Sequence, residues 1–328
     1  MNRILFSILF GLLGTLTCAQ VITGTVLDQE SREPIDFASV FFNGTFVGTT
    51  TDEQGHFELD ISKYATRPLT ISAVGYASAS ISEFVPGEQH QVKLVRKLFD
   101  IDEVTVSTKS LVRRRRVNMR IFRNEFIGLS VNARKCHILN PEDISFNYAS
   151  DRDTLIAFAS APIVIQNLSL GYIISYHLER FEYERKTKTM LFTGSIIFNR
   201  DLVDDEESRL HYERRRANAY TGSCQHFFRA LWANTLVESE FALSSTRSRS
   251  ILSYDDIVFQ DIQGRKYLRY YEDLTIDYYA NLSYISFLDG RVLFQQDGYF
   301  DPTPIIWTGE MSKQRIADFL PYEYLLSE

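Results

Sequence analysis

The chain has 328 residues, 45% of them hydrophobic and 23% charged, enough to bury a sizeable core and to form two domains. A net charge of −7 argues against nucleic acid as the main partner. Beyond the first 19 residues no stretch is apolar for the roughly 20 residues that a spanning helix needs.

Taken in chain order, Met1-Asn2-Arg3 carries one positive charge, Ile4 to Leu16 is apolar, and Thr17-Cys18-Ala19 offers small residues for cleavage after Ala19. Residues 1–19 therefore read as a secretory signal peptide. Lipidation of Cys18 is the rival reading, and Leu16 and Thr17 fit a lipobox poorly. After cleavage Cys136 and Cys224 remain. In an oxidising compartment they can pair across a long loop, which the entropy model values at about 4–5 kcal/mol. The other reading is two buried free thiols, and both stand open.

Residues 20–97 alternate like a small all-β module. Val21 to Val26 is a half-buried strand, and Glu33-Pro34-Ile35 turns the chain into a second strand over Ala38 to Phe42. Asn43-Gly44 and Val47-Gly48 punctuate a hairpin that continues through Thr49 to Thr51. Asp52-Glu53-Gln54-Gly55 is a turn rather than a calcium loop, because it lacks the ligand count of an EF-hand. Phe57, Leu59 and Ile61, then Leu69 to Val74, then Ile81, Val92 and Leu94 mark the remaining strands. About seven short strands at this spacing predict a Greek-key β-sandwich.

Gly24-Thr25-Val26, Pro34-Ile35, Ala38-Ser39-Val40, Gly44-Thr45, Gly48 to Asp52, Gly55-x-Phe57 and Val74-Gly75-Tyr76 together resemble the carboxypeptidase-like regulatory domain. The resemblance implies a transthyretin-like sandwich of the kind found at the start of many Gram-negative envelope proteins. It implies a non-catalytic adaptor, often ahead of outer-membrane receptors and exported enzymes. With the signal, it places the protein in the periplasm or on the periplasmic face of the outer membrane.

Residues 98–116 read as a strand and a basic linker. Leu98 to Ser107 alternates, and it resembles the segment that joins such a module to the plug of TonB-dependent receptors. The roughly 220 residues that follow are too few for a transporter barrel. Arg113, Arg114, Arg115 and Arg116 then form a charge run. It can contact anionic headgroups or an acidic partner, or it can be a solvated linker ahead of a docked helix. Met119, Phe122 and Phe126 share one face of that helix.

Residues 117–328 predict a β-rich α+β domain. Ile144 to Tyr148, Thr154 to Phe158 and Ile163 to Ile165 read as strands, and Tyr172 to Tyr183 with Met190 to Phe198 as a long hairpin. Asp204 to Tyr220 reads as a helix broken at Thr221-Gly222-Ser223. Cys224, Phe227, Phe228, Leu231 and Trp232 form the inward face of the next helix. Strands return over Leu274 to Tyr279, Tyr284 to Leu288 and Arg291 to Phe294, with Asp289-Gly290 as a hairpin turn. The overall class is mostly β with some α. Phe126-Ile127-Gly128 to Asn140-Pro141-Glu142, Leu170-Gly171-Tyr172, the helices around Arg214 and Arg229, and Ile306-Trp307 to Tyr324 resemble a group of envelope proteins carrying the same module. That resemblance lends architecture and no catalytic residue.

The motifs of common chemistries are missing. His56, His90, His137, His177, His211 and His226 show no zinc-peptidase spacing. There is no nucleophile elbow, P-loop or dinucleotide fingerprint. Ser223-Cys224-x-His226 puts a thiol near an imidazole, although a helix face with a buried Cys accounts for it. Asp204-Asp205 and Asp255-Asp256 are carboxylate pairs that would serve a glycosidase only at the right separation. Tyr267, Tyr270, Tyr271, Tyr278, Tyr279 and Tyr284 can form a sugar-stacking platform or pack a half-buried sheet. Asp153-Thr154-Leu155 resembles an O-glycosylation sequon. No catalytic, cofactor-binding or metal-ligating residue is assigned.

The expectation is a non-catalytic exported envelope protein. Its adaptor sandwich presents a second domain that binds a protein or glycan, in the service of TonB-dependent uptake in one version. The alternative is an exported hydrolase acting on peptide or glycan.

Overall fold

The structure, a computed structural model, describes residues 20–82, 88–97, 108–149 and 153–326. The signal expected over residues 1–19, with Cys18, and the strand expected over 98–107 lie outside them. The chain divides into two units: residues up to Phe42 with Gly48–Lys97, and Asn43–Val47 with everything from Leu98 onward.

Seven strands build the first unit: β1 (Val21–Asp28), β2 (Ser39–Phe42), β3 (Gly48–Thr50), β4 (His56–Asp60), β5 (Leu69–Ser72), β6 (Ala79–Ile81) and β7 (Gln89–Leu94). They form two sheets, ordered β4-β1-β7 and β3-β2-β5-β6, as a β-sandwich requires. All pairs are antiparallel except β1 with β7. Along β1 burial alternates strictly, with Ile22, Gly24, Val26 and Asp28 turned inward. The predicted turn at Asp52 forms as drawn: its Oδ1 accepts from Gln54 N (3.0 Å) and His56 N (2.8 Å), and Gly55 sits at φ +73°.

Asp28 is the one carboxylate buried in this sandwich among the described residues, at 2% exposure. Its Oδ1 accepts from the amides of Glu30 (2.8 Å) and Ser31 (3.0 Å). Its Oδ2 accepts from Tyr76 Oη (2.9 Å) and Arg96 Nε (2.6 Å). The Ser31 amide and then the Arg96 guanidinium hold the carboxyl well below its ordinary 3.8. Because the folded state keeps the charge that the unfolded chain loses near pH 4, this stabilisation is complete above that pH and lost as pH falls below it. We expect Asp28→Asn to lower the melting temperature at neutral pH and to flatten its decline below pH 4. Thermal melts followed by far-ultraviolet circular dichroism check both; an unchanged acid limb rejects the assignment.

In the second unit α1 (Thr108–Phe126) is followed by β8 (Cys136–Ile138), β9 (Ile144–Tyr148), β10 (Thr154–Ala159), β11 (Ile163–Asn167), β12 (Tyr172–Glu184) and β13 (Thr189–Asp201). β12 pairs along one edge with β11 and then β10, and along the other with β13. The long hairpin expected there is thus present. Asn43–Val47 joins this unit beside β13: Gly44 N donates to Ile196 O (2.8 Å), Asn43 Oδ1 accepts from Ile196 N (2.8 Å), and Phe198 N donates to Thr45 O (2.9 Å). Gly44 sits at φ +78°, where a Cβ would meet the Tyr322 ring, so glycine is required by both conformation and space.

Phe122 and Phe126 on α1, both fully buried, stack at 4.8 Å and pack on Phe181, Tyr176 and Phe192 of the hairpin. The arginine run is not a linker, as the sequence suggested, but part of α1. Helix formation reaches back past it because the helix is anchored by that aromatic face and tolerates a charged one.

The remaining elements are α2 (Glu206–Tyr220), α3 (Cys224–Ala233), β14 (Phe241–Ser245), α4 (Tyr254–Ile257), β15 (Val258–Gln260), β16 (Lys266–Leu268), β17 (Leu274–Tyr278), β18 (Asn281–Phe287), β19 (Val292–Phe294) and β20 (Ile305–Gly309). They form two more sheets, β14-β17-β18-β20 and β15-β16-β19. Phe227, Phe228 and Leu231 of α3 are buried in the core that these sheets share.

Asp289-Gly290 is not the hairpin turn expected. β18 and β19 lie in different sheets, so the dipeptide is a crossover. The true hairpin joins β17 to β18 at Tyr279-Ala280, both in the left-handed region (φ +49° and +64°). That is the backbone a two-residue hairpin turn demands, supplied here without the usual Asn or Gly.

Candidate functional site

Both thiols sit in apolar surroundings, and one carboxylate of each pair holds a helix start. Cys136 is buried in the α1 core and Cys224 packs on the α3 core, and both are free thiols. The disulfide reading is therefore replaced by the free-thiol one, because each sulfur belongs to a different apolar cluster. Burial pushes both thiols up to about 12, so neither is a thiolate nucleophile. His226 does not activate Cys224. Its Nδ1 accepts from Gly222 N (3.2 Å), and burial, then Arg229, lowers its pKa to about 4.

Asp205 caps α2: its Oδ1 accepts from Ser208 N (2.8 Å). Asp256 accepts from Ser253 N (2.8 Å) and Oγ (2.7 Å). No group of three His, Cys, Asp or Glu side chains suited to a metal ion occurs among the described residues. Thr154 of the sequon-like tripeptide is half-buried in β10.

The six tyrosines separate. Tyr267 is buried, with the Arg291 guanidinium 4.5 Å from its ring centre. Tyr278 packs on Phe241 (4.8 Å). Tyr279 forms the β17–β18 turn, and Tyr284 lies within β18. Tyr270 and Tyr271 face a cavity. Their rings lie 4.4 Å apart, tilted by 36°, and Tyr271 is 81% exposed.

This pair walls a cleft of about 640 Å³ lined also by Ser250, Ile251, Leu252, Asp256, Arg269 and Gly290. The topology explains why these residues meet. The chain passes between the β14-β17-β18-β20 sheet and the β15-β16-β19 sheet through β14–β15, β16–β17 and β18–β19. The first link supplies Ser250 to Asp256, the second Arg269 to Tyr271, the third Gly290. Three crossovers thus gather one polar-aromatic cleft at the sheet junction. Sequence reasoning missed Arg269 and Gly290, and the only available signal was the break in strand pattern on either side of each.

Tyr270 Oη donates to Tyr271 Oη (3.2 Å), and that bond, followed by burial, lifts the Tyr270 phenol to about 12, leaving it neutral at physiological pH. The bonds from Ser253 lower the Asp256 pKa and keep it ionised. Two tyrosines, Arg269 and an ionised Asp256 thus line the same cleft. A second groove of about 670 Å³ in the sandwich is lined by Thr49, Thr50, Thr51, Asp52 and His56, but Asp52 there is committed to its turn.

Residues 22–106 match the model of the CarboxypepD_reg-like domain, as the motif series implied. The match ends before α1. No curated protein matches the chain.

Proposed function

We propose that the protein is a non-catalytic exported component of the cell envelope. Its N-terminal sandwich acts as an adaptor, and its second unit holds a glycan in the Tyr270–Tyr271 cleft. The carrying observation is the tilted Tyr270–Tyr271 pair, with Tyr271 exposed, in a cleft that Arg269 and Asp256 also line. A pyranose presents a face of C–H groups that packs on an aromatic ring, and its rim of hydroxyls takes hydrogen bonds from a guanidinium and gives them to a carboxylate. The regulatory-like module supports the adaptor role, and the apolar leader over residues 4–16 supports export. A place beside a TonB-dependent receptor fits the same reading.

Titration of the protein with soluble peptidoglycan glycan fragments, followed by calorimetry, tests it. Tyr271→Ala should weaken binding about tenfold, the value of one stacked ring at roughly 1.4 kcal/mol, without changing the melting temperature, since Tyr271 is exposed. Equal binding by the variant rejects the cleft. Release of shortened glycan during the titration would favour the hydrolase instead.

A further inference from the structure

Arg113, Arg116 and Arg120 form a positive strip on α1, and Arg114 adds an exposed charge on an adjacent side. Residues 111–135 carry eight basic side chains and one acidic one, Glu125. All four of these arginines are exposed, and none makes a hydrogen bond or ion pair among the described residues. Their neighbours behave differently. Arg115 donates to the carbonyls of Ile144 and Pro141, both at 2.7 Å. Arg123 donates to those of Cys136 and Ala133, both at 2.9 Å.

Helix geometry sets Arg115 apart from the strip, while Arg123 is drawn aside by the two carbonyls it serves. At roughly 100° per residue, Asn118, Phe122 and Phe126 share the buried face, and Arg115 lies on the same side. Arg113, Arg116 and Arg120 fall within about 60° of one another on the opposite side, over a rise of about 10 Å, and Arg114 lies about 100° round the helix from Arg113. Val112 and Val117, 65% and 37% exposed, flank them.

Helix stability does not ask for this strip. Arg113 with Arg116, and Arg116 with Arg120, are like charges at repelling spacings. Packing of Phe122 and Phe126 holds the helix in place despite that repulsion. Nor can general attraction explain an anion contact, because the whole chain is net negative.

We propose that this face of α1 seats the protein on a membrane surface bearing anionic phospholipids. Guanidinium forks match phosphodiester oxygens in pairs, and a sheet of headgroups offers them at every register along a straight helix. The flanking valines suit shallow contact at the headgroup level, where an acidic protein segment would demand opposing carboxylates at fixed positions. The proposal is independent of the tyrosine cleft.

The test is co-sedimentation of the full chain with phosphatidylcholine vesicles, with and without phosphatidylglycerol. Binding to the anionic vesicles at low salt and release at high salt are expected. The fourfold variant Arg113→Gln, Arg114→Gln, Arg116→Gln, Arg120→Gln should lose roughly a hundredfold in partitioning. The control Arg134→Gln, Lys135→Gln removes exposed charge elsewhere and should bind within a few-fold of the parent. Circular dichroism confirms that each variant is folded. No binding, equal binding to both vesicles, equal loss in the control, or binding to a polyglutamate peptide but not to vesicles would each overturn the proposal.

Discussion

Replacing Arg216 by alanine should destabilise the second unit by about 3 kcal/mol, one of the two largest effects expected of any change considered. Arg216 lies at 7% exposure on α2, and its guanidinium makes four hydrogen bonds. Nε donates to Leu170 O (2.8 Å), Nη1 to Asp201 Oδ2 (3.1 Å), and Nη2 to Asp201 Oδ1 (2.7 Å) and Gly171 O (3.3 Å). The plane stacks over the Tyr172 ring at 4.1 Å. It thus ties α2 to the start of β12 and the end of β13.

Removing it strips the Leu170 carbonyl of a charged donor and opens a cavity on Tyr172. Gly171 O keeps the bond from Leu202 N, and the Asp201 side chain, 40% exposed, can rehydrate. Those two reliefs put the estimate at the low end of the about 3–5 kcal/mol that breaking a buried pair costs. Arg216→Lys should recover only part, because an ammonium cannot replace a fork that serves four oxygens and a ring at once. For a unit of this size the alanine change corresponds to a fall of roughly 6–12 °C in melting temperature. A shift under 2 °C, or full rescue by lysine, would show that the fork is not what holds the junction.

Arg216 also shows what the sequence leaves illegible. It sits between Arg214, which is exposed, and Ala217, and nothing in the run Arg214-Arg215-Arg216 tells the buried cation from its neighbours. The same holds for Arg113 to Arg116, where Arg115 alone reaches backbone carbonyls. Charge runs state composition, and burial is decided by partners distant in the chain. The sandwich was legible because its signals are local. Turn residues such as Asp52 and Gly55 bracket alternating strands, so register follows from sequence. The β12–β13 hairpin and the inward face of α3 were legible for the same reason. The cleft was not. Tyr270 and Tyr271 looked like any of the six tyrosines, and what separates them is that their link changes sheets. Asp289-Gly290 misled in the same way, since a good hairpin dipeptide can equally serve a crossover, and sheet membership is a long-range property.

His226 carries the second large effect, and it is one of pH. Its ring lies among Tyr220 (4.9 Å), Phe241 (4.9 Å) and Tyr278 (6.0 Å), and its Nδ1 accepts from Gly222 N. An imidazolium has no lone pair to accept that bond, and Arg229 repels its charge. Burial above all, then Arg229, lowers the folded pKa to about 4 from 6.5. As pH falls through 6.5 the unfolded chain gains a proton that the folded chain refuses, so stability declines until the folded ring also protonates near pH 4. With allowance for partial exposure of the ring, the loss across that window is about 2 kcal/mol. Both tryptophans of the chain, Trp232 and Trp307, pack against the core that holds Phe241, so their fluorescence reports on this region. Denaturant melts at pH 7, 6, 5 and 4 should show the decline. His226→Asn, which keeps an acceptor for Gly222 N but cannot titrate, should be less stable at pH 7 and nearly flat from 7 to 4. Asp28 acts below pH 4, so the two contributions separate along the pH axis. A parent protein whose tryptophan-monitored stability is level between pH 7 and 4 would mean that the ring accepts a proton in place, and that the cage around it is more open to water than its contacts indicate.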